Sequence, residues 1–449
     1  MSVKVRIAPS PTGFLHVGTG QSALYNWLFA RKNGGTFQLR IEDTDRERST
    51  KEYEQSIFDA LAWLGLTPDG EISRQSEHAG QYRSALEELL AEGKAFYCRH
   101  TQEELEAERK NQESKKEPPR HLCDHKNSRE EESGIIRLAV KEDDRIIKFD
   151  DIIRGPIEFQ ASLLGDFSIA KSLDEALYNF AVVMDDADMR ITHVIRGEDH
   201  ISNTPKQILI YEALGLPIPH FAHLPLILAS DRSKLSKRHG AVAVVDYKKD
   251  YLPEALSNFL GSIGYTFSKE ILTKEEMISE FDLSKVHKSG AVFDVKKLNW
   301  INAQYIRRLS ASEFKGLTGL KVSDEAVLLI TERLEKLSDA SEFSYLWSEP
   351  EYPKELLLWK TSSSEEVKQS LEKSLKFLEP LEWGREAMVA GLGHLSNEAG
   401  GKWPVFWPLR VALSGKDKSP DPIDIALAIG KEETIKRVQK AVNQLDEQD

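Results

Sequence analysis

A glycine-rich stretch near the amino terminus has the residue types that bind phosphate. Residues 10–20, SPTGFLHVGTG, contain three glycines and one histidine. Backbone N–H groups at the start of a helix bind phosphate when glycines permit close approach. Gly13 and Gly18 have the GxxxxG spacing of a P-loop, but Thr19 occupies the position of its lysine, and the GxGxxG fingerprint of dinucleotide sites is absent. The stretch indicates a nucleotide site that uses His16, one turn ahead of a helix, unless it is a structural turn with an incidental histidine.

A second stretch, residues 231–240 with the sequence DRSKLSKRHG, is rich in positive charge. Lys234 and Lys237 lie three residues apart, and such ammonium groups suit a polyphosphate. Taken alone, the loop is also explained as a solvated run of charges. Both stretches follow predicted strands, so they can meet at the edge of one sheet.

The elements that must position these loops alternate between strand and helix. Apolar alternation over residues 3–7 predicts a strand, helical spacing follows over 21–31, and a second strand over 36–41 ends in the acidic cluster EDTD. Ser49 and Glu52 form a predicted capping box for the next helix. This order implies a parallel sheet with right-handed crossovers, whose ligands lie at the carboxyl ends of the strands.

Further along the chain, a charged insertion separates this unit from later elements. Residues 101–120 predict an exposed helix followed by a loop. The later pattern predicts strands near 154–168, 191–195 and 224–228, and helices over 202–214, 254–263, 324–337, 363–378 and 432–445. Helical patterns thus predominate in the carboxyl-terminal part.

The composition limits the class of protein. The chain has 449 residues, 40% of them hydrophobic, enough for about two to four domains with cores of their own. No stretch approaches the roughly 20 apolar residues of a membrane span, and the amino terminus lacks a targeting pattern, so we expect a cytoplasmic protein. The net charge of −13 argues mildly against nucleic-acid partners, although an acidic protein can carry a local basic track.

Two pairs of cysteine and histidine suggest a metal site in the insertion. Cys98-x-His100 and Cys123-x-His125 supply four ligands suited to tetrahedral zinc, and two cysteines are too few for a disulfide framework. His121 is a rival for the fourth ligand position. The alternative is a pair of buried cysteines with solvated histidines that bind no metal.

The two loops together resemble the paired signatures of class I aminoacyl-tRNA synthetases, here HVGT and KLSKR. RIAPSPTGFLHVGT, LRIEDTDRERS, THVIRGEDHISNTP and KLSKRHG resemble the bacterial glutamyl-tRNA synthetase family closely. VFDVKKLNWINAQYI at residues 292–306 and PLRVALSG at 408–415 extend the resemblance over nearly the whole chain. It implies an ATP-dependent ligase that converts L-glutamate to glutamyl-adenylate, releases pyrophosphate, and transfers glutamate to the 3′-terminal adenosine of tRNA(Glu).

The resemblance also implies roles for the two loops. The α-carboxylate of glutamate attacks the α-phosphorus of ATP, which requires alignment and charge stabilisation but no protein nucleophile. The implied catalytic residues are His16, Lys234 and Lys237, the lysines acting with Mg²⁺ on the charge of the departing pyrophosphate. The implied ATP-binding residues are His16, Gly18, Thr19, Lys234, Leu235, Ser236 and Lys237.

A glutamate pocket needs guanidinium groups for two carboxylates and an acidic group for the ammonium. Arg6 and Arg196, on predicted strands, suit the carboxylates, and Glu42 suits the ammonium. Without the motifs, surface ion pairs would explain all three residues equally well. The resemblance assigns the same positions and adds three lining residues, Ala8, Ser10 and Tyr178. Position 182 is Val, where some relatives have a polar residue.

The implied fold class is α/β: a Rossmann-like parallel-sheet catalytic domain with an inserted acceptor-binding α+β domain, then an all-α anticodon-binding region. The expected boundaries are 1–94 and 191–240 for the catalytic domain, 95–190 for the insertion, 241–310 for a stem-contact helical region and 311–449 for the anticodon-binding domain. Some bacterial members of the family carry Cys-x-Cys and Cys-x-His where this chain has its two pairs, and a monomer is expected.

Two other functions fit part of this pattern. A short relative of the family glutamylates a modified base in a tRNA, but it lacks the anticodon-binding region that residues 310–449 resemble. An RNA-binding or regulatory protein that has lost catalysis is disfavoured because His16, Lys234 and Lys237 are all present. Whether tRNA(Gln) is also glutamylated does not follow from the sequence.

Overall fold

The computed structural model describes residues 2–45, 47–127, 133–140, 145–236, 238, 240, 242–360 and 362–446. The chain forms two compact units, one of Met1–Lys248 with Pro253–Val295 and one of Lys249–Leu252 with Lys296–Asp449. The first unit is mixed α/β and the second is helical. The finer domain boundaries expected from the sequence stay predictions.

The strands all lie in the first unit. They are β1 Lys4–Ile7, β2 Thr36–Ile41, β3 Ser73–Arg74, β4 Ala95–Cys98, β5 Ile135–Leu138, β6 Ile146–Asp151, β7 Gly155–Gln160, β8 Ser168–Ser172, β9 Glu175–Ala176, β10 His193–Gly197, β11 His220–Leu224, β12 Ile227–Leu228 and β13 Ala291–Val292. The helices of this unit are α1 Val17–Lys32, α2 Lys51–Trp63, α3 Ala79–Ala91, α4 Gln102–Ser114, α5 Tyr178–Asp188, α6 Thr204–Ala213, α7 Pro253–Ser262 and α8 Lys274–Glu280.

The second unit is built from helices. They are α9 Val295–Ile306, which starts at the last residue of the first unit, α10 Ala311–Thr318, α11 Asp324–Thr331, α12 Ser364–Leu378, α13 Arg385–Glu398, α14 Trp403–Ser414, α15 Pro422–Ile429 and α16 Lys431–Asp446. Ser363 caps α12 through the N–H of Glu366, and the apolar positions of α12 and α16 pack together. None of the helices in the described ranges has both the length and the apolar character needed to cross a membrane.

Parallel strand pairs form the framework that was expected from the sequence. One sheet has the order β1-β2-β3, all parallel; another has the order β10-β11-β6-β7, in which only β7 is antiparallel to its neighbour. The N–H of Thr192, just before β10, donates to the carbonyl oxygen of Lys4 at the start of β1. The two parallel arrays therefore lie side by side with their carboxyl ends at one edge. The predicted α/β fold class with a helical carboxyl-terminal region is confirmed.

The insertion has an antiparallel sheet of its own, in the order β4-β5-β8-β9. The charged helix expected within residues 101–120 is α4, which begins after Thr101 in a full capping box and has no buried residue. Strand β6 pairs with β11, and β7 pairs with β6 at the edge of that sheet. Strands β6 and β7, which lie within the insertion in sequence, thus belong to the same sheet as β10 and β11 of the catalytic part.

Two helix starts differ from the prediction because other side chains cap them. Helix α1 begins directly after His16, whose Nδ1 accepts the N–H of Gly18 at 3.0 Å, so His16 is the cap and does not lie a turn ahead. Thr50, and not Ser49, caps α2, because its hydroxyl accepts the N–H of Tyr53. In both cases the residue nearest the helix supplies the acceptor.

Some predicted segments are divided or shifted. The strand expected over 224–228 is two strands, β11 and β12, because Pro225 lacks the N–H that a continued ladder needs. The strand expected over 191–195 starts two residues later, at His193, because Thr192 instead bonds to β1. The helix expected over 324–337 ends at Thr331.

Helix α1 is fixed in place by polar side chains that end on backbone carbonyls. Gln21 Nε2 and Tyr25 Oη donate to the carbonyl oxygen of Ile263, just after α7, at 2.6 and 2.8 Å. Asn26 Nδ2 donates to the carbonyl oxygen of Ile195 in β10 at 3.0 Å. Because these groups are buried, their loss would leave unpaired polar atoms, and this holds the amino terminus of α1 against the sheet edge.

Gly35, between α1 and β2, lies so close to the start of β1 that an added Cβ would overlap the backbone of Val3. We expect Gly35→Ala to lower the free energy of unfolding by about 1–3 kcal/mol, because β1 must shift. Urea unfolding followed by circular dichroism measures this. Gly80→Ala, at an exposed position in α3 with open space around it, is the control. Equal unfolding midpoints for the two variants would contradict the close contact.

Candidate active site

A cavity of about 630 Å³ opens at the carboxyl ends of β1, β2 and β10. Its lining includes every described residue for which the sequence predicted a role in binding ATP or glutamate: Arg6, Ala8, Ser10, His16, Gly18, Thr19, Glu42, Tyr178, Arg196, Lys234, Leu235 and Ser236. Lys237 lies outside the described residues. The two loops, distant in sequence, thus share one cavity.

Backbone pairing brings the two loops together. The segment that follows the cationic loop runs antiparallel to the glycine-rich stretch, so that His16 pairs with Ala243. Val17 N donates to Val242 O at 2.8 Å, and the N–H of Val244 donates to the carbonyl of Leu15 at 2.9 Å. Main-chain bonds of this kind fix the relative position of the loops independently of their side chains.

The hydrogen bond from Gly18 N sets the protonation of His16. Because Nδ1 accepts that bond, the ring proton must be on Nε2, which is then a donor for an anionic ligand. Burial, together with the positive charge of Lys234, lowers the pKa of His16 below its usual value. Lys234 itself is well exposed, and its Nζ lies 3.0 Å from Asp199 Oδ2, so its ammonium is held at the cavity edge.

Arg196 lines the cavity, and one nitrogen of its guanidinium is unpaired among the described residues. Its Nη2 donates to Thr204 Oγ1 at 2.9 Å and to Gln207 Oε1 at 2.8 Å, and its Nε donates to His223 Nε2 at 3.2 Å. Its Nη1 is buried and has no hydrogen-bond partner among the described residues. No carboxylate of that part of the chain lies within ion-pair distance of this guanidinium, and burial lowers its pKa. A bound carboxylate would satisfy both the donor and the charge.

Arg6 lines the same cavity but is already held by an acidic partner. Its Nε and Nη2 donate to the two oxygens of Asp186 at 2.9 and 3.3 Å, and both side chains are buried. Arg40, which is fully buried, donates to the same carboxylate at 2.6 Å through Nη1. The sequence suggested Arg6 for a substrate carboxylate, and the structure shows that Asp186 fixes the orientation of its guanidinium.

The acidic pair Asp185–Asp186 in α5 and Arg40 in β2 were not predicted from the sequence. Asp185 lies beneath the site and accepts hydrogen bonds from Gln75 Nε2 at 2.7 Å and Tyr82 Oη at 2.7 Å, with His78 Nδ1 at 2.8 Å. Arg40 in β2 and Glu42 just after it are two residues apart, and this spacing was the available signal that their side chains share a face. The position of Asp186 beside them depends on tertiary packing and had no local signal.

Glu42 is buried at the end of β2, and its Oε1 accepts from Arg40 Nη2 at 3.2 Å. Its other oxygen has no donor in the described ranges. Burial raises the pKa of Glu42 above its usual value, although Arg40 and Arg6 act in the opposite direction. A ligand ammonium would stabilise the ionised carboxylate in this position.

Tyr178, the first residue of α5, completes the wall. Its hydroxyl lies 3.0 Å from His200 Nδ1, and burial raises its pKa to about 12, so it is a neutral hydrogen-bonding group near pH 7. Val182 is buried and is not among the residues that line the cavity. An apolar residue at this position is therefore accommodated in the core of the first unit.

The candidate metal ligands come together in the insertion. Cys98 Sγ lies 3.5 Å from His100 Nδ1 and 3.6 Å from His121 Nε2, and Cys123 Sγ lies 3.6 Å from His100 Nδ1. Tetrahedral zinc with thiolate and imidazole ligands places sulfur and nitrogen about 3.6 Å apart, from bond lengths of about 2.3 and 2.0 Å. The four side chains fit such an ion.

His125 also lies near Cys123, but its Nδ1 already accepts a hydrogen bond. Its Nδ1 lies 3.7 Å from Cys123 Sγ and accepts the backbone N–H of Arg99 at 3.3 Å. His121 instead points Nε2 at the cysteine, while its Nδ1 bonds to Glu108 at 2.5 Å. A carboxylate behind a ligating histidine is the usual arrangement at zinc sites.

Comparison with known proteins agrees with this geometry. Residues 2–300 match the family described as tRNA synthetases class I (E and Q), catalytic domain, and residues 294–442 match an anticodon binding domain. A glutamate–tRNA ligase of Carboxydothermus hydrogenoformans is 42% identical, over 98% of this chain and 100% of its own length. The chain belongs to the glutamate–tRNA ligase family. The match over residues 294–442 separates it from the short relative that lacks an anticodon-binding region.

Solved structures of glutamate–tRNA ligases have the same fold. One from Elizabethkingia meningosepticum, described as a complex with its amino acid, has a TM-score of 0.88 and 35% identity, covering 99% of this chain and 100% of that one. One from Elizabethkingia anophelis has a TM-score of 0.84 and 34% identity, with the same coverage. The mixed α/β unit and the helical unit are therefore both features of the glutamate–tRNA ligase fold.

The burial of Glu42 predicts a pH dependence of glutamate binding. Glu42 must be ionised to receive the ammonium, and its raised pKa means that it protonates above the usual pH of about 4.5. The KM for glutamate should therefore rise as the pH falls, and the rise should begin at a higher pH than an ordinary glutamate carboxyl would give. ATP–pyrophosphate exchange with tRNA present measures it.

Glu42→Gln is the control for titration of glutamate itself, because the variant keeps the shape but cannot ionise. We expect its KM for glutamate to be about tenfold higher at pH 7 and to lose the rise at low pH. A variant whose KM still follows the wild-type pH profile would show that Glu42 is not the titrating group.

Proposed function

We propose that this chain activates L-glutamate with ATP to glutamyl-adenylate, releasing pyrophosphate, and transfers glutamate to the 3′-terminal adenosine of tRNA(Glu). The observation that carries the proposal is Arg196, a buried guanidinium with one unpaired donor, which lines the same cavity as the glycine-rich stretch. A carboxylate substrate beside a triphosphate fits this combination. Membership of the glutamate–tRNA ligase family supports the choice of glutamate.

Glutamate binding uses both kinds of charge in the cavity. Arg196 and Arg6 bind the carboxylates, and Asp186 keeps Arg6 oriented for that contact. Glu42 binds the ammonium. Ala8, Ser10 and Tyr178 line the remaining wall, in the positions that the family resemblance assigns to the amino acid.

ATP binding and activation use the two loops. His16 donates Nε2–H to a phosphate oxygen, and the N–H groups near Gly18 and Thr19 add donors at the start of α1. Lys234 and Lys237, with Mg²⁺, neutralise the charge that develops on pyrophosphate. Leu235 and Ser236 complete the ATP site between them. The chemistry is alignment and charge stabilisation, because the substrate carboxylate is itself the nucleophile.

The helical region from about residue 311 is proposed to bind the anticodon, and residues 95–190 the acceptor end of the tRNA. The match of residues 294–442 to an anticodon binding domain supports the first assignment. Single-stranded RNA bases are bound by stacking and hydrogen bonds on exposed surfaces, which a helical unit can provide. The oligomeric state, expected to be monomeric, stays a prediction.

A structural zinc ion in the insertion is also proposed. Cys98, His100 and Cys123 supply three ligands. His121 fits the fourth position better than His125, which the sequence pattern favoured, because the lone pair of His125 Nδ1 is used by the N–H of Arg99. Zinc there would tie β4 to the segment that carries Cys123 and so stabilise the fold of the insertion.

The function is tested by aminoacylation with ATP, Mg²⁺, glutamate and purified tRNA(Glu), and with tRNA(Gln) in parallel. We expect tRNA(Glu) to be charged. Arg196→Lys should raise the KM for glutamate about 10- to 100-fold, because an ammonium cannot reproduce the fixed fork of donors, and should change the KM for ATP by less than about twofold.

Arg31→Lys is the matched control, since Arg31 pairs with Asp69 on the surface and does not line the cavity. Absence of charging with all substrates present would overturn the proposed function. Normal charging with an unchanged KM in Arg196→Lys would overturn the role of Arg196 alone. Charging of tRNA(Gln) as well would show that the enzyme accepts both tRNA(Glu) and tRNA(Gln).

The metal site is tested by elemental analysis of protein purified without added metal. We expect about one zinc per chain, less than about half an equivalent in His121→Ala, and about one in His125→Ala, since only His121 is the proposed ligand. Less than about half an equivalent in the wild type would contradict the site. Loss of zinc in His125→Ala but not in His121→Ala would reverse the assignment of the fourth ligand.

A further inference from the structure

A buried histidine lies directly behind Arg196. His223 is in β11, and the parallel register of β10 and β11 places it opposite Arg196. Asp151, at the end of β6, lies on its other side. His223 is fully buried and is not among the residues that line the cavity. It therefore cannot contact the substrates, and any effect it has on them must act through Arg196.

Asp151 determines where the ring of His223 carries its proton. Asp151 Oδ2 lies 2.6 Å from His223 Nδ1 and also accepts the backbone N–H of His223 at 3.1 Å. Asp151 Oδ1 accepts the N–H groups of Ile153 and Arg154 at 3.0 and 2.8 Å. These donors lower the pKa of Asp151 despite its burial, so it is ionised and can only accept. His223 Nδ1 must therefore carry a proton.

The other ring nitrogen of His223 must then be bare. Arg196 Nε carries a hydrogen that points at His223 Nε2 across 3.2 Å, and Nε2 can accept it only without a proton of its own. A charged imidazolium would place an N–H against the guanidinium. Burial lowers the pKa of His223, and the positive charges of Arg196 and Arg154 act in the same direction, opposed by Asp151. His200 also faces this cluster.

This contact completes the orientation of the guanidinium. Thr204 and Gln207 hold Nη2, and His223 holds Nε, so that two edges of the planar group are fixed. Only Nη1 is then left for a ligand. If the guanidinium rotated freely at the end of its side chain, it would have to become ordered when the ligand binds. The entropy lost in that step would weaken the binding of the ligand.

We propose that His223 is a positioning residue for glutamate: its unprotonated Nε2, maintained by Asp151, orients Arg196 so that Nη1 meets a substrate carboxylate. The inference rests on the proposed glutamate-binding role of Arg196. Its consequence is specific, because an error in the orientation of Arg196 weakens the binding of glutamate and leaves the phosphate-binding loops untouched.

Two amide variants separate the two hydrogen bonds of the ring. In His223→Gln, the amide reaches the position of Nε2 and its oxygen can accept from Arg196. In His223→Asn, the shorter amide reaches only the position of Nδ1 and can donate only to Asp151. The KM values for glutamate and for ATP are measured for both variants by ATP–pyrophosphate exchange with tRNA(Glu) present, and folding is checked by urea unfolding.

We expect His223→Asn to raise the KM for glutamate about tenfold or more, with the KM for ATP within about twofold of the wild type. His223→Gln should stay within about threefold for both substrates. Equal KM values for glutamate in the two variants, or an equal rise in both substrates' KM values, would overturn the positioning role. Failure of the wild type to catalyse exchange would instead overturn the proposed function.

If His223→Asn does not fold, the wild type still provides a test. In protein labelled with ¹⁵N-histidine, the His223 signals, assigned by their loss in His223→Gln, should show a protonated Nδ1 and a bare Nε2 near pH 7. The opposite tautomer or a doubly protonated ring would overturn the inference, since either removes the acceptor for Arg196.

Discussion

Burial of charge at the edge of a parallel sheet is the constraint on which the active site depends. Moving a charged group out of water is costly unless a partner of opposite charge or a set of hydrogen bonds replaces the water. Although burial opposes its charge, Arg40 has a raised pKa because Asp186, Glu42 and Asp185 surround it. Arg196 has hydrogen bonds, but no carboxylate among the described residues forms an ion pair with it. A bound carboxylate would therefore balance this buried charge.

The other half of the site depends on backbone geometry more than on side-chain charge. The glycine-rich stretch has no lysine of its own, and the positive charge comes from a loop that the chain adds after β12. The pairing of His16 with Ala243 brings this loop to the start of α1. Because the bonds are between main-chain atoms, they do not engage the side chain of Lys234, which lines the cavity.

Much of this arrangement could be predicted from the sequence. Motif residues such as His16 and Lys234 share the cavity as expected, and the α/β order was confirmed because strand and helix periodicities are local. What could not be predicted depends on contacts across the chain. The hydrogen bonds between Arg6 and Asp186 join residues far apart in sequence, and no periodicity in the sequence predicts them.

The cap of α2 was missed for a different reason, since neighbouring residues offered the same chemistry, and the choice of a fourth metal ligand stays a prediction on the same ground. Ser49 and Thr50 are both good caps, and only the backbone path selects Thr50. His121 and His125 are both good ligands, and the choice depends on which ring nitrogen is free.

The junction between Leu15–Val17 and residues 242–244 has a consequence for biosynthesis. Contacts between segments so distant in sequence form late, because the intervening chain must be made and ordered first. A nascent chain that ends before residue 242 lacks the main-chain partners of Leu15 and Val17. The two loops can therefore meet at one cavity only after more than half of the polypeptide has been synthesised.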